Sequence, residues 1–306
     1  MRNLGILVAI GLTAAGQVSF RPSPGQIEVW LGGQHFSNLY YGDKWAKPFL
    51  HPLRSLSGIP VTRGYPVEEI EGEIKDHTWH HGLWWAHGDI NGVDFWRDLG
   101  PEKTGRIVVR SRPRTARDAL ELSAELVTPQ KQVLGSVLER FRFERRGANH
   151  LVDAFISVRA DRGIPLKLGD TEEGTFAIRL ADEFRLERGV TMTNSNGQSG
   201  RDIWGKRARW VDYSTTIRGQ AVGVIVLDHP ANPKHPTYWH ARHYGLCSAN
   251  PFGERDFEKD KTRDGSVGVP AGGKLDFRYR VIIHPGRLNE IDPEALFQEF
   301  AREVKP

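Results

Sequence analysis

The sequence predicts an all-β protein, a large antiparallel β-sandwich with a C-terminal helix. Three observations lead there. Segments with an apolar residue at every second position recur along most of the chain, which is the period of a half-buried strand. The 33 Gly and 18 Pro residues punctuate these segments into short lengths. Convincing helical spacing occurs once, at the end.

Taken in order, the first residues, MRNLGILVAIGLTAAGQVSF, read as a signal peptide over residues 1–16. Arg2 is a short positive region, Leu4 to Ala15 is apolar, and Ala14 and Gly16 stand at −3 and −1 of a cut before Gln17. A secreted or periplasmic protein is expected, with no membrane span after cleavage, since no later segment approaches ~20 apolar residues. Residues 17–306 read as a single β-sandwich domain without internal repeats or low-complexity linkers. Its strand signals are RIVVRSR, LELSAELVT, VLERFRFERR, LVDAFISVRA, GTFAIRLA, FRLERGVTMT, QAVGVIVLDH and KLDFRYRVIIHPG. In the last, Leu275, Phe277, Tyr279, Val281 and Ile283 share a face opposite Asp276, Arg278 and Arg280. This many strands fits two broad sheets better than a small immunoglobulin-type domain. For the helix, Asp292 is a good N-cap and Pro293 suits the first turn. Leu296, Phe297, Phe300 and Val304 give it one apolar face, expected to pack on the outside of a sheet.

Composition excludes several classes. The net charge of +4 comes from dispersed basic residues, without a basic tail or a nucleic-acid motif, so no nucleic-acid partner is expected. Cys247 is the single cysteine, which rules out an internal disulfide. A nucleophile elbow, a P-loop and a dinucleotide fingerprint are all missing from the sequence.

Chemistry concentrates in two windows. DHTWHHGLWWAHGDINGVDFW holds His77, His80, His81 and His87; DHPANPKHPTYWHARHYG holds His229, His235, His240 and His243. Together they carry eight of the 12 histidines. If residues 79–89 are extended, Trp79, His81, Trp85, His87 and Asp89 line one face, with His80 and Trp84 on the other. His81 and His87 would then stand ~20 Å apart, too far to share a metal without a turn. In the second window Pro230, Pro233 and Pro236 exclude a regular helix or central strand, and one helical turn would aim His240 and His243 at one point. Such histidines serve as acids or bases beside Asp228 or Asp76, as metal ligands, or as plain loop anchors. The tryptophans suit a sugar ligand, because indole faces stack on pyranose rings while Asp89, Asn91 and His243 read hydroxyls; packing in the core is the equal alternative. GDTEEGTFAIRL adds Glu172 and Glu173, which on a strand would face opposite sides, so that at most one enters a cleft; paired carboxylates are the usual tool of glycoside hydrolysis. WGKRARWVDY sets Lys206, Arg207 and Arg209 between Trp204 and Trp210, and HPLRS offers Arg54, as anion or hydroxyl holders.

These stretches, with KPFLHPLRSLSGIPVTRGYP, NSNGQSGRDIWGKRARWVDY and LDFRYRVIIHPG, resemble a bacterial family of unknown function, DUF6807, also labelled PmoA-like. The resemblance runs from about residue 47 to 284. It departs at the first histidine motif, where the family's DHPHHRGLW becomes DHTWHHGLW, with Thr78 and Trp79. The methane-oxygenase name attached to the family does not suit a chain without spanning helices. The resemblance implies an exported β-rich protein of bacteria rich in carbohydrate-degrading enzymes, and by fold analogy a supersandwich of the mutarotase type.

The expected function is an exported carbohydrate-active enzyme (hydrolase, lyase or isomerase) that acts on a glycoside or modified sugar by acid–base chemistry. His81, His87, Glu173, His240 and Asp228 are the catalytic candidates. Arg54, Trp85, Asp89, Asn91, Lys206, Arg207, Trp239 and His243 are the candidates for holding a carbohydrate or small-molecule substrate. No cofactor is favoured. One alternative is a metal-dependent oxidoreductase or hydrolase with a divalent metal on His80, His81, His87, His235, His240 and His243. The other is a non-catalytic carbohydrate-binding protein.

Overall fold

In a computed structural model, residues 17–303 are described; the expected signal segment and Val304 lie outside the described residues. Two nine-stranded antiparallel sheets make the body. The first runs, in spatial order, Val18–Ser23, Gln26–Leu31, Gln34–Tyr40, Phe49–His51, Leu83–His87, Gly174–Arg179, Leu246–Asn250, Tyr238–Ala241 and Lys206–Arg207. The second runs Thr191–Asn194, Trp210–Ile217, Gln220–Asp228, Lys274–Pro285, Asn149–Arg159, Val133–Arg146, Ala119–Val127 and Arg106–Val109, with Arg114–Ala116 also paired to Ala119–Val127. A small pair joins Leu166–Leu168 to Val267–Val269.

The alternation of the sequence becomes the two faces of each sheet. In QIEVWL, Ile27, Val29 and Leu31 are buried and the residues between them are partly exposed. Gly32 and Gly33, at φ 56° and 82°, close the two-residue turn to Gln34, a turn that needs the left-handed region at both positions. In the first sheet Trp85, Phe176, Ala249 and Trp239 form one cross-strand row, fully buried between the sheets. Phe176 stacks flat on Tyr279 of the second sheet at 4.5 Å, so the sheets meet ring to ring. Burying each such ring contributes a few kcal/mol, ~25 cal/mol per Å² of apolar area.

Three local expectations change. FRLERGVTMT is strand only over Thr191–Asn194; before it come short 3-10 turns at Asp182–Phe184 and Leu186–Arg188, closed by the left-handed Gly189. Of residues 79–89 only Leu83–His87 is strand. The proline-rich window is a loop only as far as its last proline, after which Tyr238–Ala241 is a central strand rather than a helical turn.

The helix, Pro293–Arg302, forms as expected. Asp292 accepts from the Ala295 backbone N–H at 2.9 Å. Phe297 and Phe300 pack on Leu151, Trp210, Ile225, Leu227 and Ile282, the outer face of the second sheet. Arg280, nearly fully buried there, is held by Asp153 and Glu303. Among the described residues no helix is long and apolar enough to cross a membrane.

One core position breaks the pattern. Glu139, in register with Leu122 and Ile156, lies on the inward face with Val137 and Phe141, fully buried, with neither carboxyl oxygen hydrogen-bonded. Burial alone pushes its pKa from 4.5 up to about 8. The folded state therefore keeps a proton that the unfolded chain gives up. Stability is highest below the unfolded value and falls as pH rises from 4.5 to about 8, by at most ~1.4 kcal/mol per pH unit. Thermal melts of wild type and Glu139→Gln should coincide near pH 4.5 and diverge as pH rises, with the variant more stable at pH 8. A constant difference across that range would refute the buried acid.

Candidate functional site

The face of the first sheet turned away from the second sheet carries a different set of side chains. Trp84, Ala177, Ser248 and His240 form its cross-strand row, and Arg179 follows two residues after Ala177. The segment from Arg63 to Gly82 folds over this face. Gly82 makes the turn back into the sheet possible: at φ 41°, a Cβ there would sit 2.1 Å from the Leu50 carbonyl oxygen, so only glycine fits.

Arg63 holds that segment from inside. Its side chain is fully buried, and its guanidinium donates to the carbonyls of Tyr65, Ile74, Asp76, His77 and His80 and to the Asp76 carboxylate. Arg179, also fully buried, reaches up from the sheet and donates to Asp76 Oδ1 at 2.7 Å. Burial opposes the charge on Asp76, yet His77, Arg179 and Arg63 outweigh it and hold the carboxyl at about 2. Asp76 Oδ2 lies 3.1 Å from His77 Nδ1, an electrostatic approach more than an aligned hydrogen bond. The His77 ring is sandwiched flat between His80 at 4.7 Å and Tyr244 at 5.3 Å, and remains 37% exposed. Beneath, His80 stacks on Trp84 at 5.4 Å and Trp84 meets Trp96 at 5.2 Å. Lys47 is buried below them and donates to the Trp96 carbonyl at 2.5 Å; burial lowers its pKa to about 8.

The acidic side comes from the turn before Gly174–Arg179. Glu172 Oε2 stands 3.6 Å from His240 Nδ1, and Glu173 pairs with Arg97 at 2.8 Å. Arg97 also holds Asp94 at 2.9 Å. Burial raises both glutamates above the ordinary carboxylate range, against the pull of Arg242 on Glu172 and of Arg97 on Glu173. Burial, helped by the Arg242 charge, lowers His240 to about 3, so its imidazole is neutral at physiological pH. The neutral imidazole and the carboxyl stand side by side at 3.6 Å without a hydrogen bond between them. The third wall is the turn after Tyr238–Ala241. The Arg242 guanidinium lies over Trp204 at 5.8 Å and Tyr244 at 5.7 Å. Tyr213 of the second sheet fixes this turn from below, donating to the carbonyls of Leu246 at 2.9 Å and Arg242 at 3.1 Å.

Of the expected site residues, the structure brings His240, Glu173 and His80 to this face, with His243 at its rim 3.8 Å from Glu187. It places the others elsewhere. His81 is buried against Phe49 at 4.7 Å, and His87 is buried with Nε2 on the Gly169 carbonyl at 2.8 Å. Trp85 and Trp239 belong to the inter-sheet core rather than to a sugar platform; Trp239 Nε1 donates to Ala208 O. The half-buried rings at the site are instead Trp79, Trp204 and Tyr244. Asp228 ties its own loop through Asn232, His235 and Thr237. Asp89 accepts from Gly92, and Asn91 bridges to Pro165 and Lys167. Arg54 donates to Gly58 O and Arg207 to the carbonyls of Lys234 and Pro236, while Lys206 is exposed. Arg209 pairs with Glu294 of the helix. Among the described residues no group of three or more His, Cys, Asp or Glu side chains is placed to share a metal ion, so the six candidate ligands do not form one set. Contrary to the strand expectation, Glu172 and Glu173 both approach the same face, because the strand begins after them, at Gly174.

Sequence reasoning missed Arg63, Arg97, Arg179, Arg242 and Tyr244. Arg179 had a signal: it is the one charge in the apolar run GTFAIRLA, and a lone charge in a buried strand needs a partner. Other hollows lie elsewhere on the surface. One of about 50 Å³ is the seam beside Phe300 and Glu303 where the helix docks, and one of about 230 Å³ lies between Ile59, Ile70 and Asp182.

Fold and site define a β-sandwich protein with a polar and aromatic cluster on the open face of one sheet. The chain belongs to DUF6807, a family of unknown function, whose model matches residues 26–298. A search of curated protein sequences returns no match. Among solved structures the chain is distantly similar to a galactose mutarotase-like protein from Lactobacillus casei, at 10% identity over 87% of this chain and 100% of that one, TM-score 0.36. It is similar to a GalM/aldose epimerase homologue from C. elegans at 10% identity over 89% and 100%, TM-score 0.32. It is also similar to the GH36 alpha-galactosidase AgaA from Geobacillus stearothermophilus at 9% identity over 88% of this chain and 40% of that one, TM-score 0.37.

The Tyr213 anchor has a measurable consequence. Tyr213→Phe leaves two buried carbonyls without their shared donor. Each carbonyl keeps a backbone donor, so the change should cost ~0.5–1.5 kcal/mol in chemical denaturation and raise amide exchange in residues 242–246 above that of neighbouring strands. Unchanged stability and exchange would show that the turn stands without it.

Proposed function

We propose that the open face of the first sheet binds a carbohydrate or a similar polyhydroxylated molecule and acts on it by proton transfer. The observation that carries this reading is the juxtaposition of Glu172 with His240, 3.6 Å apart, beside the Arg97–Glu173 pair. Among the described residues Glu172 has no Arg or Lys within ion-pair distance, and its pKa is raised, which suits it to give a proton to an acetal or ring oxygen. Glu173, clamped by Arg97, is the group placed to take one. His240, neutral, orients the Glu172 carboxyl. His77, 37% exposed and stacked between His80 and Tyr244, borders the same face. The half-buried rings of Trp79, Trp204 and Tyr244 offer flat surfaces to the apolar face of a sugar. The N-terminal segment fits export to the periplasm or beyond, where polysaccharide fragments are met.

The test is a panel of glycosides and free sugars, scored separately for binding by ligand-observed NMR and for product. Glu172→Gln should reduce turnover ~100- to 10,000-fold while leaving affinity within a few-fold. Because the working form of Glu172 is the acid, wild-type turnover should fall as pH rises through its raised pKa. Binding without product in wild type would favour a carbohydrate-binding protein built on the same rings. Equal loss of binding and turnover in Glu172→Gln would remove the acid role.

A further inference from the structure

The cations at this face are matched unevenly. Arg63 and Arg179 share Asp76, and Arg97 holds both Asp94 and Glu173. Arg242 has no carboxylate partner. Among the described residues it makes no ion pair, its Nε is buried without an acceptor, and its guanidinium is braced by the rings of Trp204 and Tyr244. Its charge is nevertheless directed into the site, since Glu172, His240 and Tyr244 all feel it.

We infer that Arg242 is the anchor for a carboxylate on the substrate, so that the site takes an acidic sugar of the uronic-acid type in preference to a neutral one. This rests on the carbohydrate reading above. Ring-braced guanidinium groups keep their edge N–H donors free in a fixed fork, and that fork matches the two oxygens of a carboxylate. Electrostatic sign also separates the two ends of the bound molecule. Its carboxylate belongs at Arg242, and its reacting acetal carbon belongs near Glu172 and Glu173, whose raised pKa values limit repulsion.

The test is calorimetric titration of the full mature chain with D-galacturonate, D-glucuronate and their methyl glycosides, against the corresponding neutral sugars. At low salt the acidic ligands should bind at least about tenfold more tightly, the equivalent of one charge-assisted contact. Arg242→Gln should abolish the preference, read as the ratio of acidic to neutral affinity within the same variant. Arg242→Lys, which keeps the charge but not the fork, should retain part of it, and both variants are checked by thermal melting. Neutral sugars binding as tightly as acidic ones, with no change in either variant, would overturn the inference and leave the carbohydrate reading standing. Failure of wild type to bind any sugar, acidic or neutral, would overturn both.

Discussion

The histidine segment over the open face depends on one buried guanidinium. Arg63 satisfies its donors on five backbone carbonyls and one carboxylate, all within residues 65–80. A fully buried cation is costly unless each donor is met, so the chain around it has few alternatives. Asp76 then faces a second buried guanidinium, Arg179, that rises from the sheet itself. The segment carrying His77, Trp79 and His80 is thereby tied to a rigid strand, although it has no strand pairing of its own. Function placed on a loop needs such a tether.

The same node acts on His80, while burial, Arg97 and Arg242 set the electrostatics of the acidic side. Two arginines and one aspartate leave a positive surplus below the histidines. Burial together with the charge of Arg179 keeps His80 neutral, and burial together with Arg242 does the same for His240. Burial, not a like-charge clash, is the leading cause that raises Glu172 and Glu173. The result is a surface where the buried imidazoles of His80 and His240 are deprotonated and Glu172 and Glu173 hold protons longer than they do in water. That inversion is the condition for acid–base work near neutral pH.

The fold was largely legible, and the reason is period. Strands such as Lys274–Pro285 and Gln220–Asp228 alternate cleanly, and the helix announced itself through Asp292 and Pro293. The N-terminal hairpins were not read, although LGGQ is a strong turn signal between QIEVWL and QHFSNLY. The site was legible in part. The two histidine windows do meet, through His77, His80 and His240; of the catalytic candidates in them His240 lies at this face, and His81, His87 and Asp228 lie elsewhere. The expected alternation holds over Leu83–His87, with Trp85 and His87 opposite Trp84, but the face taken for the site is the one that packs between the sheets. Asp228 and Arg207, polar residues beside prolines, turned out to hold their own loops. Tertiary partners such as Arg63, which acts on residues as far along as His80, leave no local pattern to read.

The most direct test of this dependence is hydrogen exchange on wild type and Asp76→Asn, followed peptide by peptide. Removing the charge of Asp76 leaves Arg63 and Arg179 buried without their shared counter-ion. Exchange should accelerate in residues 74–82, with the strands Lys274–Pro285 and Asn149–Arg159 of the opposite sheet unchanged. Identical exchange over residues 74–82 in both proteins would contradict it, and the histidine segment would then owe its position to something other than the buried arginine node.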